Sequence, residues 1–279
     1  VGKTLKFAGG FVPNSNYARV VSILPKVNVA RSAAPLNVNY TAVEEVIKAD
    51  YRQVTPKYRA DDEIEVTTEN HRRLNSTLQN ICESFPRPIA VLDAGCGTGR
   101  YFHCLTNVEE LIGVDISDEM LQAAENPVRQ ERITARNVRL LRANVHLVQF
   151  ARESFHFIYS LGMFGNGCPL TVELCNRFYH WLLPGGKLFF NVIDYQGLPL
   201  SYRLLKRVRR GIYGLMTRRW QRILDEREAR HPFFNASKSQ LEDLLCGTEF
   251  REFAVASRAC KSPLSINVSR HLECVATKG

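Results

Sequence analysis

No run of apolar residues in this 279-residue chain approaches the roughly 18 that a membrane-spanning helix needs. The first residues, VGKTLKFAGGFVPNSNYARVV, lack the continuous apolar segment and small-residue cleavage site of a secretory signal, so none is expected there. The same stretch contains VGKT without the preceding G-x-x-x-x spacing, so no phosphate loop is expected there. The eight cysteines include no C-x-x-C pair and are spread through apolar segments. That argues against a zinc site or a disulfide framework and for free buried thiols in a reducing compartment, the cytoplasm. No metal site is expected. Internal repeats and low-complexity tracts are absent, leaving one large domain or one domain with an elaboration.

Acidic residues are in the minority, and the imbalance is local. The net charge is +9, and residues 201–230 hold ten Lys/Arg against Asp225, Glu226 and Glu228, a surplus of +7. Within this stretch Leu204, Leu205, Val208, Ile212, Leu215/Met216, Trp220 and Ile223/Leu224 recur near helical spacing. Three uses fit a basic amphipathic helix: a lid over a pocket, an interfacial helix on anionic lipid, or a phosphate-contacting patch for RNA. A solvated helix without a special role is the plain alternative.

Along the chain, residues 1–40 read as an irregular or partly ordered arm. TAVEEVIKADYRQV is a helix with Thr41 as N-cap and Glu44 at capping-box spacing. TTENHRRLNSTLQNICESF is a second, amphipathic helix with Leu74, Leu78 and Ile81/Cys82 on one side. This lead of 1–88 is followed by a domain over 89–279, with the basic helical insertion at about 198–235. From residue 89 strands and helices alternate: IAVLDA, then ELIGVDI, a helix capped by Ser117, VRLLRAN, FHFIYSL, a helix over TVELCNRFYHWLLPGG, KLFFNVI, a helix between Ser237 and Gly247, REFAVASRA and HLECVATK. Strands apolar on both faces predict a mostly parallel sheet covered by helices.

The most informative stretch is IAVLDAGCGTGR. An apolar strand stops at Asp93 and turns through Gly95, Gly97 and Gly99, a way of bringing backbone close to a ligand. The strict dinucleotide pattern G-x-G-x-x-G is not met, yet LIGVD places Asp115 at the end of the next strand, where a carboxylate can accept both hydroxyls of a ribose. Asp93 would repel phosphate and suits a cationic group.

VLDAGCGTGR followed by LIGVDISDEML resembles the class I, Rossmann-like S-adenosylmethionine-dependent methyltransferases, of the type acting on small molecules. The resemblance covers roughly residues 89–195. It implies an α/β fold with a seven-stranded, mostly parallel sheet whose last strand is antiparallel, and S-adenosylmethionine as cofactor. It also implies that Asp93, Gly95, Cys96, Gly97 and Gly99 hold the amino-acid end, Asp115 the ribose, and Ile116 and Met120 the adenine. Asn144 stands where the family usually has an acid for the adenine amino group, with Val145 offering its N–H. Ser160 and Leu161 line the methionine portion, and Phe164, Asn166 and Tyr195 face the acceptor.

Neither the N/D-P-P-Y/F/W motif of base-amine methylation nor the paired-glutamate loop of arginine methyltransferases is present. The expected reaction is methyl transfer to O, N or C of a small organic or amphiphilic acceptor. RNA methylation through the 203–230 segment and non-catalytic cofactor binding are the alternatives. His71, His231 and Tyr58 are the candidate bases or pocket-closing groups; none is singled out.

Overall fold

The computed structural model describes residues 6–7, 40–165, 168–213, 216–221, 234–260 and 269–279. Side chains of 6–7, 40–47, 50, 202, 206, 209–211, 213 and 269 lie outside that description, as do Asn166 and His231 entirely. Among the described residues no helix is long and apolar enough to cross a membrane.

Seven strands make the body of one sheet: β2 Ile89–Ala94, β3 Val108–Asp115, β4 Asn137–Arg142, β5 Phe155–Phe164, β6 Leu182–Ile193, β7 Glu252–Cys260 and β8 Ser269–Thr277. An eighth, β1 Lys6–Phe7, adds a two-residue parallel edge beside Arg139 and Leu140, so the arm is not wholly irregular. The order is β1-β4-β3-β2-β5-β6-β8-β7, with β8 antiparallel to both neighbours. This is the expected mostly parallel Rossmann-like sheet with one reversed strand. Because β3 and β5 flank β2 on opposite sides, a topological switch point falls at the carboxyl ends of β2 and β5, where open α/β sheets place ligands.

Period-two alternation divides the core. Val91, Leu111, Phe157, Tyr159 and Phe189 face Leu74, Leu78 and Cys82 of α2 (Glu69–Glu83) and Leu121 of α3 (Asp118–Ala124). Leu92, Ile112, Ile158, Leu188 and Phe190 face Leu174, Cys175 and Phe178 of α4 (Val172–Trp181), and Leu241 and Leu245 at the other end of the layer. Helix α4 stops at Trp181, before Pro-Gly-Gly, and its buried stripe is Leu174, Cys175, Phe178 and Trp181. All eight cysteines are free.

The first helix, α1 (Tyr40–Glu65), takes in Thr41 and runs through Pro56, so Thr41 is not its cap. It is tied to the glycine turn by Asp62, fully buried, whose carboxylate accepts from Thr98 Oγ1 and pairs with Arg100. Truncating one partner strands the other's charge in a poorly solvated place. Asp62→Ala is expected to cost about 3 kcal/mol, seen as a fall of roughly 8 °C in Tm by calorimetry. An unchanged Tm contradicts the anchor. Helix α5 (Leu200–Tyr213) opens the basic insertion, and α6 (Lys238–Cys246) carries the expected Ser237 capping box and ends at Gly247.

Candidate functional site

A cleft opens at the switch point. It is lined by Asp93, Gly95, Cys96, Gly97 and Thr98 from the β2 turn, Asp115 and Met120 from β3 and α3, and Leu161–Met163 from β5. Tyr51 and Tyr58 of α1, in edge-to-face contact, and Arg100 and Tyr101 complete the wall.

The turn is built by backbone bonds. The N–H groups of Gly95 and Cys96 both donate to the Val114 carbonyl, at 2.8 and 3.0 Å, drawing the loop over the end of β3. Gly97, at φ +52°, donates its N–H to Asp115 Oδ2 at 2.9 Å, and the Ser117 N–H donates to Oδ1 at 3.0 Å. A Cβ on Gly97 would meet no protein atom within 4 Å, so its missing side chain leaves ligand space. A Cβ on Gly95 (φ +81°) would stand 2.6 Å from Met163 Sδ, so there the missing side chain lets β5 approach.

Asp93 is 2% exposed, and burial pushes its carboxyl up to about 8, partly offset by the Tyr159 hydroxyl beside it and reinforced by the charge of Asp115. Burial also raises Asp115, against the pull of backbone N–H groups from Ser117, Gly97 and Ile116. Two acids held above their ordinary values in one cleft prefer a cationic guest, because a positive charge offsets both the burial and their mutual repulsion. An open cradle at Gly97, two acids and an apolar wall of Met120 and Leu161 suit an adenosyl sulfonium with an amino-acid tail.

Other sequence-predicted positions go elsewhere. Gly99 backs the turn against Phe102 and Pro127, and Ile116 sits beside the cleft, outside its lining. The Asn144 side chain accepts the His146 N–H at 3.0 Å, closing its own turn, and Val145 is buried in the core. Ser160 donates to the Ala94 carbonyl at 2.8 Å, knitting β5 to β2, and does not face the cleft. Phe164 is buried edge-on against Phe190, and Tyr195 holds the start of α5 through the Arg203 carbonyl. His71 is drawn to His103 and Cys104, and burial first, then the charges of His103 and Arg129, hold it down to about 3. Tyr58 does line the cleft.

Three residues escaped the sequence reading. Asp62 anchors α1, Tyr159 faces Asp93, and Asn191 of β6 accepts the Gly162 N–H at 2.8 Å, fixing the β5 wall. Each acts across the sheet or between distant segments, where local spacing carries no signal.

A family model described as a methyltransferase domain matches residues 91–186, the stretch that supplies the cleft's lining apart from Tyr51 and Tyr58. Residues 91–186 carry a methyltransferase domain of the kind that model describes. Two curated proteins named demethylmenaquinone methyltransferase are similar to the chain. One, from Geobacillus sp. (strain WCH70), is 28% identical over 101 residues, 35% of this chain and 42% of that protein. The other, from Lactiplantibacillus plantarum, is 29% identical over 140 residues, 48% of this chain and 57% of that protein. The chain thus spans about half the length of the curated relatives it matches. Among solved structures, Burkholderia thailandensis 1,6-didemethyltoxoflavin-N1-methyltransferase, with 1,6-didemethyltoxoflavin and S-adenosylhomocysteine bound, shares the fold at 19% identity and TM-score 0.53. That match covers 89% of this chain and 94% of the other.

Proposed function

We propose that this methyltransferase domain moves a methyl group from S-adenosylmethionine to an O, N or C atom of a small, amphiphilic organic acceptor. The observation that carries the reading is the meeting of Asp93, Gly97 and Asp115 on one cleft, with Asp115 locked by two backbone N–H groups. The donor supplies an electrophilic methyl on a sulfonium. The chain's task is alignment and exclusion of water. Asp93 takes the ammonium end, Asp115 keeps lone pairs for the ribose, and Met120 lies against the adenine. Leu161–Met163 form the wall beside the reacting centre, while Tyr51 and Tyr58 of α1 cover the opening. The C–S bond breaks as the acceptor's bond to the methyl carbon forms, and the acceptor's proton leaves to solvent or buffer.

The amphiphilic character rests on two supports. The curated relatives are named for demethylmenaquinone, a lipid-like quinone. Helix α5 also leaves Leu200, Leu204, Leu205, Val208 and Ile212 exposed, Leu205 by 68% and Leu200 by 62%. None of its described residues lines the cleft, so a lid role has no support there. An apolar face flanked by arginines suits the surface of an anionic bilayer, where such an acceptor would be met. The 279-residue chain should sediment with vesicles containing phosphatidylglycerol more than with pure phosphatidylcholine, and Leu205→Glu with Val208→Glu should abolish the difference. Equal sedimentation of the wild type with both, or a preference for RNA over vesicles, contradicts the membrane reading. The transfer itself is tested by mass spectrometry of quinone-like, phenolic and amine acceptors incubated with S-adenosylmethionine. A gain of one methyl in an acceptor, lost in Asp115→Ala, is expected; enzyme that binds the donor yet methylates none of these classes contradicts the acceptor assignment.

A further inference from the structure

Away from the cleft, three ligating atoms converge inside the molecule. His71 Nε2 lies 3.2 Å from His103 Nε2, and Cys104 Sγ lies 3.6 Å from each. All three residues are buried: His71 3%, His103 8% and Cys104 0% exposed. None lines the donor cleft. They come from two separate elements, His71 from α2 and His103–Cys104 from the short 3-10 turn Phe102–Cys104 that follows the glycine loop.

These separations match the edges of a metal-centred tetrahedron. With metal–nitrogen bonds of about 2.05 Å and a metal–sulfur bond of about 2.3 Å, its N···N edge is about 3.3 Å and its N···S edges about 3.6 Å. The geometry points to a transition-metal site of the zinc type, with His71 Nε2, His103 Nε2 and Cys104 Sγ as three ligands and solvent as the fourth. Among the described residues the Nδ1 atoms of both rings meet no hydrogen-bond partner, so each can carry the ring proton and leave Nε2 as a lone pair. On binding, the Cys104 thiol loses its proton to solvent as the metal–thiolate bond forms.

Among the described residues, other Cys–His contacts bring one cysteine to one histidine: Cys168–His146, at 3.6 Å, and Cys260–His271, at 3.5 Å. Among the described residues the triple is the group of three or more metal-ligating side chains whose ligand atoms converge. Spacing along the chain did not announce it, because His71 stands 32 positions before His103.

A metal here would clasp α2 to the segment just past the glycine loop. His71 also stacks on Tyr101, at 5.4 Å between centroids and 12° between planes, and Tyr101 lines the cleft. The clasp is therefore structural, one ring removed from the donor, and imposes no role in methyl transfer.

The test uses the 279-residue chain carrying Cys246→Ser, which removes the exposed thiol, stripped with a chelator under reducing conditions. Co²⁺ alone is then titrated and followed by absorption. One equivalent should bind with a thiolate-to-metal charge-transfer band and the visible bands of tetrahedral cobalt, and Zn²⁺ should bleach both. Zn²⁺ should also raise the Tm of this protein. Cys104→Ala should lose the charge-transfer band. His103→Gln should weaken binding by more than about 100-fold, since losing even an outer-sphere partner costs 10–100-fold. Absence of cobalt uptake, or a spectrum and stoichiometry unchanged in Cys104→Ala, overturns the site and leaves an imidazole–imidazole hydrogen bond. Should both variants fail to fold, the stoichiometry and spectrum of the parent protein still decide.

Discussion

Replacing Asp93 by Asn is expected to stabilise the donor-free protein while abolishing donor binding. A carboxyl whose folded value is about 8, against about 3.9 unfolded, holds a proton in the folded chain that the unfolded chain has released. Its contribution to stability is fully present below about pH 4 and is lost as pH rises through about 8. At neutral pH Asp93 therefore weakens the fold, and a neutral amide of the same shape removes that penalty. We expect a gain of about 2 kcal/mol at pH 8, or roughly 5 °C in Tm by calorimetry, and a much smaller gain at pH 4. The same change removes the partner of the ammonium, so S-adenosylmethionine should no longer raise the Tm. A variant that melts below the wild type at pH 8, or that still responds to the donor, contradicts the role given to Asp93.

The second large effect separates two glycines that look equivalent in the sequence. Gly97→Ala places a methyl where no protein atom stands within 4 Å. The strain of an alanine at φ +52° costs about 1 kcal/mol, and the chain should fold. The new methyl occupies donor space, so affinity for S-adenosylhomocysteine should fall by at least about 100-fold, equivalent to about 2.7 kcal/mol. Gly99→Ala drives its Cβ to 2.7 Å from the Phe102 ring and should act on stability instead, by about 2–3 kcal/mol from overpacking and strain. Calorimetric titration beside thermal melts distinguishes the two. Loss of stability without loss of binding in Gly97→Ala would show that the ligand does not lie against this residue.

Much of this design was legible before any coordinates. The apolar run ending in Asp93, the turn through glycines and the second strand ending in Asp115 are local patterns, and hydrogen bonding then forces them together at the switch point. Strand ends were harder to read. Phe164 was expected on the loop facing an acceptor, but β5 continues through it and alternation turns the ring into the core. Asn144 was expected to serve an adenine, and its Oδ1 also closes its own turn, a habit of short polar side chains. Ser160 and Tyr195 likewise spend their hydroxyls on backbone carbonyls. His71, read as a candidate base, belongs to a cluster assembled from segments about thirty residues apart, and the expectation of no metal site rested on cysteine spacing alone. Long-range groups such as Asp62 and Asn191 leave no periodic trace at all.

The account turns on two buried acids that recognise a cation, and proton exchange on binding reports this directly. At pH 6.5 Asp93 is mostly protonated in the donor-free protein, while the donor's amino group, with an ordinary value of about 7.7–8.0, already carries its charge. Titration of S-adenosylmethionine by calorimetry in two buffers of different ionisation enthalpy should therefore show release of close to one proton. Affinity should rise about tenfold per pH unit between pH 6 and 7.5, then level off near pH 8 as the free donor begins to lose its own proton. Asp93→Asn and Asp115→Ala should bind far more weakly. One-to-one binding with no proton release, unchanged by either substitution, would contradict the account.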